Sequence, residues 1–130
     1  MKKPYDNKNP DESMIMFRHL GMREGRDFSP ERIEWNPAID MYETENLVVV
    51  YVEVPGMSEQ DISITFTNNI LTIEGEKKKT VESGGRNFYC LERSFGSFRR
   101  TFHLRTPIDE SSIKATYFNG TLRIELPKKM

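Results

Sequence analysis

The chain has 130 residues, with 19 Lys and Arg against 20 Asp and Glu and 36% hydrophobic residues. That length holds one domain and an arm, and balanced charge with no stripe of one sign excludes the electrostatic footprint of a nucleic-acid or membrane-surface binder. No apolar run approaches the roughly 20 residues of a membrane span, no apolar signal core follows Met1-Lys2-Lys3, and the lone Cys90 fits a reducing compartment, so a cytoplasmic location is expected.

Residues 1–13 are polar with two prolines and no periodicity, the composition of a disordered start. Residues 14–22, "MIMFRHLGM", interrupt this with Met14, Ile15, Met16, Phe17, Leu20 and Met22, and the spacing predicts a short amphipathic helix. Two uses are open to it: packing on its own domain, or offering an adaptable Met-rich surface to varied partners. Residues 1–34 are therefore read as an N-terminal arm and 35–130 as the folded domain.

From Trp35 onward the pattern is that of strands. "LVVVYVEV" (residues 47–54) is apolar on both faces apart from Glu53, so one face should meet a core and the other something additional. "DISITF" puts Ile62, Ile64 and Phe66 on one face and Ser63 and Thr65 on the other. Asn68-Asn69 tolerates positive φ, and "ILTIEGE" returns as the second strand of a hairpin. Residues 77–87 form a charged, glycine-containing excursion longer than a hairpin needs, with an aromatic run at its end. "SFRRTFHL", "SIKATY" and "TLRIEL" are the remaining strands, the last two joined by Asn119-Gly120 as a type I′ turn.

Two connectors, "PGMSEQDI" and "TPIDESSI", each carry a proline, a capping Ser or Asp, and an isoleucine at the start of a strand. Such segments suit a chain that crosses between two packed sheets. Seven or eight short strands with crossover turns predict an all-β fold, a β-sandwich.

Catalytic chemistry has little support. His19 and His103 are the only histidines, and His103 shares strand parity with Arg99 and Thr101, the face opposite Phe98, Phe102 and Leu104, where a solvated residue is expected. Two histidines and one cysteine at scattered positions give no metal-ligand spacing, and no phosphate-binding glycine pattern or nucleophile elbow occurs, so neither an enzyme nor a bound cofactor is expected. Arg100 is the odd residue. It falls on the apolar face of "SFRRTFHL", where a permanent charge needs a partner. Either its stem covers the core edge while its head reaches water, or it helps to hold two subunits.

With these residues laid out, the stretch from about Trp35 to Lys128 resembles the small heat-shock proteins, the α-crystallin domain family, in their microbial type. The resemblance rests on five ordered segments: "NPAIDMYET", "VEVPGM" followed by "DISI", "NNILTIEGEKK", "ERSFGSFRRTFHL" and "ATYFNGTLRIELPK". The last carries the hallmark hairpin at Ala115, Asn119, Gly120 and Leu122. Thr121 stands where the family usually has Val, and Arg105 where it usually has Pro.

The resemblance implies an immunoglobulin-like sandwich that forms dimers, assembles into oligomers, and holds partly unfolded client proteins without ATP. It makes Asn87, Phe88, Tyr89, Cys90 and Leu91 a candidate strand swapped onto the partner subunit, with Arg100 near the dimer interface. The arm residues Met14 to Met22 named above are one candidate client contact. A second is the groove between edge strands lined by Ile62, Ile64 and Phe66 on one side and Ala115 on the other. The family's usual tail with an Ile-x-Ile motif is not expected after "LPKKM". The competing expectation is an interaction module, possessing the same sandwich, that recognises one defined partner as a co-chaperone does.

Overall fold

The computed structural model describes residues 15–17, 33–79 and 85–130. Among these residues eight strands form two antiparallel sheets: β1 (Ile15–Phe17), β2 (Ile39–Glu43), β3 (Leu47–Glu53), β4 (Ile62–Thr67), β5 (Ile70–Lys77), β6 (Gly96–His103), β7 (Lys114–Phe118) and β8 (Thr121–Pro127). The larger sheet has the order β1-β7-β8-β3-β2 and the smaller β4-β5-β6. The expected all-β sandwich is thus the observed fold.

The β4–β5 and β7–β8 hairpin turns follow from asparagine's tolerance of left-handed backbone. Asn68 and Asn69 have φ of 53° and 62°, and Asn119 and Gly120 have φ of 50° and 77°, so all four central residues take the positive φ of a type I′ turn. Asn69 does more than turn the chain. Its Nδ2 donates to the carbonyls of Leu104 (2.8 Å) and Thr106 (2.9 Å), fastening the β4–β5 turn to the end of β6.

The two similar connectors are the two sheet crossings. Each contains a single 3-10 turn, Glu59–Asp61 between β3 and β4 and Glu110–Ser112 between β6 and β7. In the first, Asp61 Oδ2 accepts from the Ser58 amide at 3.0 Å and the Ser58 hydroxyl at 3.1 Å. In the second, Asp109 accepts from the Ser111 amide and from the Ser111 and Ser112 hydroxyls, which pulls its carboxyl below the usual carboxylate range. The strand after this turn begins at Lys114, two residues later than the "SIKATY" pattern suggests, because Ser112 and Ile113 complete the turn's hydrogen bonds to Asp109 and Glu110.

Strand alternation builds the core between the sheets. Val48, Val50, Val52 and Val54 from the β3 segment, Ile62, Ile64 and Phe66 from β4, Leu71 and Ile73 from β5, Phe98 from β6, and Leu122, Ile124 and Leu126 from β8 form one buried cluster. Trp35 closes the edge of that cluster: its ring meets Phe98 edge-on at 5.3 Å and its Nε1 donates to the Gly96 carbonyl at 2.9 Å. Burying Phe98 completely means that truncation to Ala would cost about 3–5 kcal/mol. The additional cover predicted for β3 is also present. Val49, on the face away from the core cluster, is 1% exposed between Tyr42 and Glu125 in register, beside the Tyr42–Tyr51 ring pair.

The helix expected over residues 14–22 is not what the described part of that segment forms. Ile15–Phe17 is a strand, paired antiparallel with β7. The reason is tertiary: β7 offers an open line of backbone donors and acceptors, and a short apolar stretch satisfies its own backbone there as well as in a helix. Met14, Leu20, Met22 and the polar residues 1–13 lie outside the described residues.

Candidate interaction site

The flanks of the sandwich decide which surfaces are open. On one flank β2 and β6 are the sheet edges, tied together where Arg100 Nη1 donates to the Pro37 carbonyl at 3.1 Å and where the Glu34 amide donates to the Ser97 carbonyl at 2.8 Å. On the other flank lie β7 and β4, and there Tyr117 of β7 donates its hydroxyl to the carbonyl of Val54, at the start of the β3–β4 connector, at 2.8 Å. Burial raises the Tyr117 hydroxyl above its ordinary pKa.

The predicted groove residues gather on this second flank. Ile62, Ile64, Phe66 and Ala115 belong to the core cluster and are 1%, 4%, 4% and 0% exposed. Against the outer edge of β7 lies β1, with Ile15 opposite Tyr117, Met16 opposite Thr116 and Phe17 opposite Ala115.

The dimer candidates other than Arg100 lie in the connection between β5 and β6. Asn87, Phe88, Tyr89, Cys90 and Leu91 belong to no regular strand, and Phe88, Tyr89 and Leu91 are among the exposed large apolar residues of the chain at 60%, 105% and 64%. Cys90 Sγ donates to Glu92 Oε2 at 2.6 Å, and this hydrogen bond raises the thiol's pKa. Met41 and Tyr42 on the edge strand β2 are each 38% exposed. They help line a cavity of about 290 Å³ with Glu43, Val48, His103, Leu104 and Arg105.

Arg100 is partnered inside its own chain. Its guanidinium donates to the Pro37 carbonyl and lies over the Phe102 ring at 5.4 Å, so the charge is half-buried at the sandwich edge beside β2. His103 is exposed, as its strand parity predicts. No group of His, Cys, Asp and Glu side chains able to hold a metal occurs among the described residues, nor does any helix there have the length and apolarity to cross a membrane.

One ion pair with a buried carboxylate escaped the sequence. Glu74 lies on the outward face of β5, where a solvated carboxylate is expected, yet it is fully buried and accepts from Arg99 Nε at 3.0 Å. Ser63, Glu74 and Arg99 stand in one row across β4, β5 and β6. The signal available was the pairing register, which brings opposite charges directly across two neighbouring strands.

The sequence profile described as the Hsp20/alpha crystallin family matches residues 40–130. The chain is similar to small heat shock protein C2 of Rickettsia felis, at 40% identity over 93 residues covering 72% of this chain and 60% of the relative. It is also similar to heat shock protein 16 of Schizosaccharomyces pombe, at 39% identity over 97 residues covering 73% of this chain and 68% of the relative. Among solved structures it resembles heat shock protein 16.0 of Schizosaccharomyces pombe, with a TM-score of 0.70 and 39% identity over 73% of this chain and 88% of that one. A small heat-shock protein of Xylella fastidiosa, whose crystal structure is described as having a distinct high order structure, matches with a TM-score of 0.68 and 36% identity over 75% of this chain and 89% of that one. The chain spans about 60% of the length of the first of these curated relatives.

Proposed function

Because the chain belongs to the Hsp20/alpha crystallin family, we propose that it is an ATP-independent holdase of the cytoplasm. It binds partly unfolded client proteins under stress and keeps them from aggregating. The observation that carries this reading is where the apolar surface lies. Ile33, Met41, Tyr42, Phe88, Tyr89 and Leu91 are exposed on an entry segment, an edge strand and a loop instead of converging on an enclosed polar site.

The physical logic needs no covalent step. An unfolding client exposes apolar surface and unpaired strand edges, and a protein offering both removes it from the aggregating pool by mass action. The arm around Ile15, Met16 and Phe17 and the β4–β7 flank are the client contacts of this proposal. The exposed run 87–91 adds a strand to a second copy, with β2 and its exposed Met41 and Tyr42 as the receiving edge. A dimer is thus the smallest assembly, and Arg100, held at Pro37 beside that edge, borders the contact.

The test is heat-induced light scattering of a purified heat-labile enzyme, with the chain added at equimolar ratio and no nucleotide. Suppressed scattering is expected, and removal of residues 1–34 should weaken suppression while circular dichroism still reports the sandwich. Unchanged scattering with the full chain contradicts the holdase reading.

A further inference from the structure

The outward face of the larger sheet carries a group of side chains that neither the core nor the client contacts use. On β2 these are Asp40 and Tyr42, on β3 Tyr51 and Glu53, and the register sets Asp40 directly across from Tyr51. Strand alternation puts all four on one surface, opposite the face from which Val50 and Val52 enter the core. Together with Ala38 and Thr121 they line a cavity of about 220 Å³. That is room for the head of a single side chain, below the roughly 300 Å³ at which small-molecule sites begin.

The walls combine two chemistries. Tyr42 and Tyr51 have ring centroids 6.2 Å apart and planes inclined at 35°, and both rings line the cavity. Asp40 and Glu53 are exposed carboxylates with no side-chain hydrogen bond or ion pair among the described residues. No lysine or arginine is among the lining residues.

The protein itself shows what one of these rings accepts. The Arg123 guanidinium lies over Tyr51 at 5.7 Å from the ring centroid. Its buried Nε has no hydrogen-bond partner and stands 3.9 Å from Glu125 Oε2. Arg123 and Glu125 offset one another in charge, which leaves Asp40 and Glu53 uncompensated beside the tyrosines. An aromatic face attracts a cation through its quadrupole, and a carboxylate gives a guanidinium paired hydrogen bonds. An ammonium gains the charge without the planar stacking or the fork.

We propose that Asp40, Tyr42, Tyr51 and Glu53 form a seat for the guanidinium of an arginine carried by an extended polypeptide. Resting on the holdase reading above, the seat gives client binding a chemical preference: apolar contacts hold any unfolding chain, and this face adds affinity for segments that carry arginine. The seat is entered across the face of the sheet. A second copy's strand added to the β2 edge takes backbone groups in the plane of the sheet and leaves that face open.

The experiment uses the full chain and three fluorescein-labelled peptides, Ser-Thr-Ser-X-Ser-Thr-Ser, with X arginine, lysine or the neutral isostere citrulline. Anisotropy is followed as the chain is titrated into the millimolar range. The arginine peptide should bind about tenfold more tightly than the citrulline peptide, with lysine between them. Asp40→Asn with Glu53→Gln should bring arginine and citrulline close to equal affinity. Tyr42→Leu, which leaves the Arg123 contact in place, should remove most of the preference. Glu76→Gln with Glu110→Gln, the same charge change at exposed positions elsewhere, should leave it unchanged. Equal binding of the arginine and citrulline peptides, binding of none of the three, or an equal loss in the remote variant would overturn the seat. Lysine binding as tightly as arginine would overturn the guanidinium assignment. Displacement of the arginine peptide by spermidine at lower concentration than by its own unlabelled form would reassign the cavity to polyamines and overturn the polypeptide one. Light scattering with the same proteins separates the two readings. An arginine preference with client aggregation unaffected by the chain supports the seat and overturns the holdase, whereas suppression without the preference overturns the seat alone.

Discussion

Arg99 reaches across from β6 to the directly opposite Glu74 of β5, placing Nε 3.0 Å from a carboxylate that has no exposed surface. A buried carboxylate is tolerable only while it is paired and hydrogen-bonded. Arg99 itself is 37% exposed on its side chain, so solvent screens part of the interaction. Arg99→Ala should therefore destabilise the fold by about 1–3 kcal/mol, below the full cost of breaking a wholly buried pair. Urea unfolding measures it. An unchanged midpoint would mean that the pair contributes nothing.

Gly75 faces a harder constraint. A Cβ built there would stand 2.2 Å from the Asp61 carbonyl oxygen and 3.1 Å from the Phe98 ring. Backbone on one side and a fully buried ring on the other leave no flexible group to yield. Gly75→Ala should cost about 1–3 kcal/mol, the range for overpacking a closed core, and thermal unfolding should show a lowered transition.

Asp109 supplies a pH dependence. The Ser111 and Ser112 hydrogen bonds lower its carboxyl pKa in the folded state. A carboxylate with a depressed folded pKa contributes stability above its unfolded value, and that contribution is lost as pH falls through the folded one. The melting temperature should therefore drop in acid, below about pH 4, partly through this group. Asp109→Ala should melt lower than the unaltered chain at pH 7, with the difference shrinking in that acid range. A difference independent of pH would assign the effect to packing alone.

Much of this was legible in the residues because local chemistry and the fold agree. Asn68-Asn69 and Asn119-Gly120 announced their turns, and the Ser58 and Asp109 segments announced their single helical turns at the sheet crossings. The apolar alternation of β4 and β8 placed Ile62, Ile64, Phe66 and Leu122 in the core. Two things were hidden because a distant strand decides them. Ile15–Phe17 has an apolar pattern too short to separate helix from strand, and the β7 edge settles it. Glu74 reads as a solvated residue until the register sets Arg99 opposite. The exposed run 87–91 reads in the residues themselves as the aromatic end of an excursion longer than a turn requires, and only the family resemblance makes it a candidate strand, since its proposed partner belongs to another copy.

That run makes a prediction about assembly. Deleting residues 87–91, or replacing Arg100 with Ala, should weaken the proposed dimer by roughly tenfold or more, since arginines at well-packed contacts commonly contribute over 1 kcal/mol. Sedimentation across a concentration series measures it. A loop deletion that dimerises like the unaltered chain would remove the swapped strand from the account.

The most direct test of the account is capture. The chain is mixed with a purified heat-labile enzyme, heated without nucleotide, cooled, centrifuged and passed over a size-exclusion column with mass measured by light scattering. The account predicts that the enzyme stays in the supernatant and elutes with the chain in a soluble complex larger than either alone. An enzyme that pellets as completely with the chain as without it, while the chain elutes unaccompanied, would contradict it.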